Sequence, residues 1–83
     1  MSGIAVHVRL FASLRRFHPE AADGPIAVHL EAGATVRDAV AALGIPEENA
    51  GIVVCDDRHL ELDSPLRDGA EVSLFPPLAG GAL

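Results

Sequence analysis

Lysine is missing from this chain: all six of its basic residues are arginines. The only primary amine is the N-terminus, so no side chain can accept an isopeptide bond. Tryptophan and tyrosine are missing as well, which leaves three phenylalanines as the aromatic inventory and makes ultraviolet detection poor. One cysteine, Cys55, excludes an internal disulfide, and nothing argues for an oxidising compartment. No apolar run approaches the roughly 20 residues that span a bilayer. The opening Met1-Ser2-Gly3-Ile4-Ala5 has no basic stretch and no cleavage-site pattern, so no secretion signal is expected. The cytoplasm is the expected compartment.

Positive charge is scarce too. Twelve acids against six arginines give a net charge of −6. That sign opposes nucleic-acid backbones and anionic membranes, and favours a protein partner with a basic face. No Ser-His-Asp set, phosphate loop or zinc spacing is present, so neither a bound cofactor nor a metal is expected. The chain is expected not to be an enzyme. Its 83 residues make one domain with a small core.

Within that length the periodicities are clear. Ile4, Val6, Val8 and Leu10 alternate with Ala5, His7, Arg9 and Phe11, the pattern of a strand with one buried face. Ile26, Val28 and Leu30 repeat it. Between them, His18-Pro19 and Asp23-Gly24-Pro25 are turn signals, so the two strands predict a long-looped hairpin. Thr35 is a good N-cap with Asp38 three residues on. Val36, Ala39, Val40 and Leu43 then form one apolar stripe, which predicts a helix of about three turns closed by Gly44 and Pro46. Ile52 to Cys55 predicts a third strand, Leu60 to Leu62 a short fourth, and Ala70 to Phe75 the last. Asp63 to Leu66 is expected to form a turn or a single 3₁₀ turn.

Two strands, a helix and three strands, with the helix laid across a mixed sheet, predict an α+β protein with the β-grasp (ubiquitin-like) fold. The first and last strands would be parallel neighbours at the sheet centre. By parity, Phe11 and Phe75 would both point away from the core and form an exposed aromatic patch, the mark of a partner site. Phe17 is expected to anchor a loop. Cys55 is expected to be structural, and the four histidines lack ligand spacing. Glu47-Glu48 and Asp56-Asp57 are expected to be solvated turns.

The carboxyl end is the most specific stretch: Phe75-Pro76-Pro77-Leu78-Ala79-Gly80-Gly81-Ala82-Leu83. Proline has no N–H to donate and a fixed φ, so the chain must leave the sheet there, extended and stiff. Glycines beyond it let a partner's walls close around the backbone. Residues 1–78 are expected to form the β-grasp domain, and 79–83 a flexible tail that delivers the function.

Val8-Arg9-Leu10-Phe11-Ala12-Ser13-Leu14-Arg15 resembles the first strand of the small subunit of molybdopterin synthase, MoaD. The stretch from Ser64-Pro65-Leu66-Arg67-Asp68-Gly69 through Val72-Ser73-Leu74-Phe75-Pro76-Pro77 to Gly80-Gly81 resembles its last third. The thiamin sulfur carrier, ThiS, is similar in fold but shorter and without the Phe-Pro-Pro lead-in. The resemblance, which covers nearly the whole chain, implies a ubiquitin-like sulfur carrier. In that family a partner enzyme uses ATP to adenylate the terminal glycine carboxylate, and sulfur then replaces the adenylate to give a thiocarboxylate. The thiocarboxylate is inserted into a sulfur-accepting synthase subunit. The match implies that Gly81 carries the sulfur and Gly80 allows passage. Phe11, Phe75 and Arg15 would belong to the docking face, and Pro76, Pro77 and Leu78 to the arm that enters the partner.

Three departures bear on this. Ala82-Leu83 follow the glycine pair, so Gly81 has no free carboxylate as written. Similar short extensions on carriers of dedicated biosynthetic pathways imply a metalloprotease, related to deubiquitinases, that removes them. Ala70 stands where the family commonly has a second acid in the turn, and Cys55-Asp56-Asp57 where it commonly has Asn-Gly after the third strand. Molybdopterin is the first expected product, with thiamin, cysteine or a secondary metabolite as alternatives. A non-carrier interaction module and ubiquitin-like conjugation to protein lysines stay open as other classes.

Overall fold

The apolar alternation at Ile4, Val6, Val8 and Leu10 builds β1 (Gly3–Leu10), whose inward residues from Val6 on are buried. In the computed structural model, which describes residues 3–21 and 24–77, β1 pairs antiparallel with β2 (Ile26–Glu31). The connection between them is more ordered than a loop. Ala12–Phe17 and Pro19–Ala21 form 3₁₀ turns, and the first drops Leu14 into the core with no exposure.

The helix α1 (Val36–Ala42) is two turns rather than three. Its start is as the sequence predicts. The Asp38 carboxylate accepts the Thr35 amide at 2.9 Å and the Thr35 hydroxyl at 3.2 Å. Its end is a Schellman closure at Gly44, where the sequence predicts it. Gly44 adopts φ 75°, donating its amide to Ala41, and the Ile45 amide reaches back to the Val40 carbonyl at 3.2 Å. Leu43 is therefore the C-cap, and the whole predicted stripe of Val36, Ala39, Val40 and Leu43 is buried.

Three more strands complete the sheet: β3 (Ile52–Cys55), β4 (Arg58–Leu60) and β5 (Glu71–Phe75). The order is β2-β1-β5-β3-β4, with β1 and β5 parallel at the centre and the other pairs antiparallel. This is the predicted β-grasp arrangement. One strand is displaced from expectation. Asp56 and Asp57 both take positive φ, 53° and 66°, which makes a two-residue turn of the kind that matches strand twist. Arg58 then pairs directly with Cys55, so β4 starts two residues before the expected Leu60. Asp63 lies in a plain turn rather than a 3₁₀ turn, closed by the Ser64 amide donating to the Glu61 carbonyl at 3.0 Å, and Pro65 then bridges to Thr35. The Asp68-Gly69 turn is tied to β1. The Asp68 carboxylate accepts the Ala5 amide at 2.8 Å, and the Gly69 amide donates to the Ala5 carbonyl at 2.7 Å.

α1 covers one face of the sheet. Val6, Val8, Leu10, Val28, Val53, Val72 and Leu74 meet Val36, Ala39 and Val40 in one core, with Phe17 packed against its edge as expected. The opposite face has no element over it among the described residues. Arg37 fastens the outside of the helix through ion pairs to Glu47 and, at 2.6 Å, to Asp63. No helix among the described residues is long and apolar enough to cross a membrane.

Candidate docking face and carboxyl-terminal arm

The uncovered face of the sheet is built by strand parity. Leu10 and Leu74 pair in register and point to the core, so the next residue on each strand points outward. Phe11 and Phe75 therefore meet, with ring centroids 4.5 Å apart and planes 16° from parallel. The Phe11 amide donates to the Leu74 carbonyl at 3.1 Å, which extends the parallel ladder by one step and fixes the pair. Both rings are half-buried and neither belongs to the core cluster.

Directly after Phe11 the backbone turns through Ala12, at φ 55°. This left-handed conformation is uncommon for a residue with a Cβ. It bends the chain out of β1 and into the 3₁₀ turn that carries Arg15, which is exposed. Phe11, Phe75 and Arg15 are thus assembled by one short piece of chain and one central strand pair.

Further along the same face the surface becomes polar. His7, Arg9, Glu71, Ser73 and Asp57 border an open concavity of about 380 Å³. His29 shares this face with His7, because Ala5 pairs with His29 and His7 with Ala27. His59 lies within β4, close to the Asp56-Asp57 turn. Among the described residues no group of three or more His, Cys, Asp and Glu side chains could hold a metal ion.

The arm begins where β5 ends. Pro76 is half-buried and Pro77 exposed. Both lie against Gly51, the residue before β3, whose amide donates to the Phe75 carbonyl at 2.9 Å. Sequence inspection gave no sign of Gly51. It lies outside every strand and turn pattern, and its contact partner is 26 residues away. Leu78, Gly80, Gly81 and the Ala82-Leu83 extension fall outside the described residues, as does the expected domain boundary at residue 78.

Two further groups have defined chemistry. The buried Cys55 thiol has its pKa raised, chiefly by burial and then by Asp56, whose carboxylate is 3.8 Å from the sulfur. A thiol held protonated is a poor nucleophile, which agrees with a structural role. His18 was expected only in a loop. Its ring joins that loop to the helix end, with Nε2 2.7 Å from the Leu43 carbonyl and Nδ1 3.2 Å from the Glu20 carboxylate.

A family model described as the ThiS family matches residues 8–81. No curated protein matches the sequence. Among solved structures, the chain is similar to a putative molybdopterin converting factor, subunit 1, from Pyrococcus furiosus. Identity is 27%, the match covers 90% of this chain and 99% of the other, and the TM-score is 0.68. It is similar to the same degree to small archaeal modifier protein 1 of Haloferax volcanii, at 26% identity, 90% and 99% coverage and a TM-score of 0.68.

Proposed function

Because the chain belongs to the ThiS family of ubiquitin-like sulfur carriers, we propose that it works by presenting Gly81 as a thiocarboxylate to a partner enzyme in cofactor biosynthesis. The observation that carries the reading is the juxtaposition at the end of β5. A stacked Phe11–Phe75 plate lies on the uncovered sheet face, and the Pro76-Pro77 arm that leads to the glycine pair starts from the plate's own strand. The plate is a docking surface and the arm a delivery device. The chain supplies binding and position, and partner enzymes supply the catalysis.

The chemistry follows in three steps. Hydrolysis of the Gly81–Ala82 peptide bond by a protease frees the Gly81 carboxylate. A carboxylate oxygen attacks the α-phosphorus of ATP in an adenylating partner, forming an acyl-adenylate and releasing pyrophosphate. A hydrosulfide-level sulfur nucleophile then attacks the acyl carbon and AMP departs, leaving the thiocarboxylate. Adenylation is required because a carboxylate is a poor electrophile, while AMP is a good leaving group. Molybdopterin is the favoured product, because the Phe-Pro-Pro lead-in is present and the Pyrococcus structure is named as a putative molybdopterin converting factor. Phe11, Phe75 and Arg15 form the docking face; Pro76, Pro77 and Leu78 form the arm.

A second reading has its own observation: the Haloferax structure is named as a modifier protein. A protein amine in place of the sulfur nucleophile would join Gly81 to a target. With no lysine in the chain, such a conjugate could not be extended on this protein's own side chains.

Intact mass of the protein purified from its native host tests both. The carrier reading expects chains ending at Gly81, some with one carboxylate oxygen replaced by sulfur. Chains that uniformly keep Ala82-Leu83 while the host is making the sulfur product would overturn it. Masses of Gly81 joined to other proteins would favour the modifier reading.

A further inference from the structure

The first two residues of the arm have no ladder bond to hold them. Ile52 pairs with Phe75, and the Gly51 amide reaches the Phe75 carbonyl, but Pro76 and Pro77 have no N–H to continue the pattern. Their direction is set by packing instead, and what they pack on is bare backbone. A Cβ built on Gly51 would lie 2.7 Å from the carbonyl carbon of Pro76, and closer still to the N and Cα of Pro77. These are main-chain atoms, which cannot swing aside like the end of a side chain. Gly51 is itself exposed, so its missing side chain is not explained by the core.

We infer that Gly51 is a positioning residue, a side-chain-free seat that aims Pro76-Pro77 as they leave the sheet. The inference rests on the carrier reading and deepens it. Phe75 stacks on Phe11 and, through its carbonyl, holds Gly51; the next two residues lie on Gly51. Plate and arm therefore share one frame. The fixed φ of two successive prolines carries the direction outward. Any side chain at residue 51 moves the arm while leaving the plate in place.

The test uses chains ending at Gly81, as wild type, Gly51→Ala and Pro77→Gly. Proton NOEs between Gly51 and Pro77 report the seat directly. ATP–pyrophosphate exchange by the host's adenylating enzyme reports delivery. Wild type should show the NOEs. Gly51→Ala should lose them and lose kcat on the order of 10²-fold, as expected for a small misplacement of a reacting group. KM should stay within about twofold, because docking belongs to the plate. A fold defect alone would not give that split. If Gly51→Ala does not fold, Pro77→Gly carries the test, since it keeps the bare seat, removes the stiff ring and should show the same loss of kcat. Unchanged kcat in the folded variants, a rise in KM alone, or NOEs that persist in Gly51→Ala would overturn the seat. Failure of the wild-type chain to be adenylated would sink the carrier reading instead, and the NOE comparison would still decide the role of Gly51.

Discussion

Phe11 and Phe75 stack at 4.5 Å because β1 and β5 run parallel with Leu10 opposite Leu74. The contact is a consequence of topology. A β-grasp chain brings its first and last strands together at the sheet centre, so residues 64 positions apart in sequence become neighbours. Nearly parallel rings fill the space beside the arm with flat apolar surface, and the lysine-free, acidic remainder of the chain leaves that surface distinct from its surroundings.

Phe75→Ala should weaken docking to the adenylating enzyme by about 2 kcal/mol, roughly 30-fold in Kd, as a buried aromatic anchor does. Phe11→Ala should act similarly. Because the rings touch, the two effects on unfolding should not add. A double-mutant cycle by urea denaturation is expected to give a coupling of about 0.5–1.5 kcal/mol. Strictly additive losses would mean that the stack contributes nothing to the folded state.

Asp56 and Asp57 hold a hairpin turn that suits Asn-Gly better. Both have positive φ, where a Cβ is unfavourable, and two carboxylates are adjacent. The double change Asp56→Asn, Asp57→Gly should stabilise the domain by about 1 kcal/mol. A higher urea midpoint at unchanged slope would show it, and a lower midpoint would mean that the aspartates make compensating contacts.

The strands, the helix stripe and the parallel centre were legible because each is written locally, in period 2 or 3.6. Phe11 and Phe75 could be placed on one face for the same reason: parity carries across a ladder once the topology is guessed. What escaped is set by backbone conformation and distant contact. The start of β4 depended on Asp56 and Asp57 accepting left-handed φ, and an aspartate pair does not announce that. The helix is a turn shorter than expected because Leu43, the last residue of the apolar stripe, is already its C-cap. The seat at Gly51 needed the path of Pro77, and the His18 link needed the helix end, 25 residues away.

Leu14 shows the same limit in the core. It sits in a 3₁₀ turn within a segment with no apolar period, yet it has no exposure. Leu14→Ala should cost about 2–5 kcal/mol, the range for a large-to-small change at a fully buried site. In a small domain that is a large share of the total stability. The urea midpoint should fall sharply with the slope unchanged. A loss under about 1 kcal/mol would mean that the turn moves away from the core at little expense, contrary to the packing seen.

The His18 ring faces two acceptors and nothing that donates. The Leu43 carbonyl and the Glu20 carboxylate can only accept, so both contacts need an N–H on both ring nitrogens, which only the imidazolium has. The pKa is accordingly raised, first by the Leu43 hydrogen bond at the negative end of α1 and further by Glu20, with burial opposing. With the folded value above the unfolded one, His18 stabilises the fold fully below the ordinary histidine pKa of about 6.5, and that contribution is lost as pH rises through the raised folded value. Wild type and His18→Gln share every other titratable group. The stability difference between wild type and His18→Gln therefore isolates the effect. Urea midpoints taken from about pH 6 to about pH 8.5 should show the wild-type advantage shrinking as pH rises. A difference that stays constant across that range would mean the ring holds only one of its two contacts, and that the link between the 3₁₀ segment and the helix end does not depend on charge.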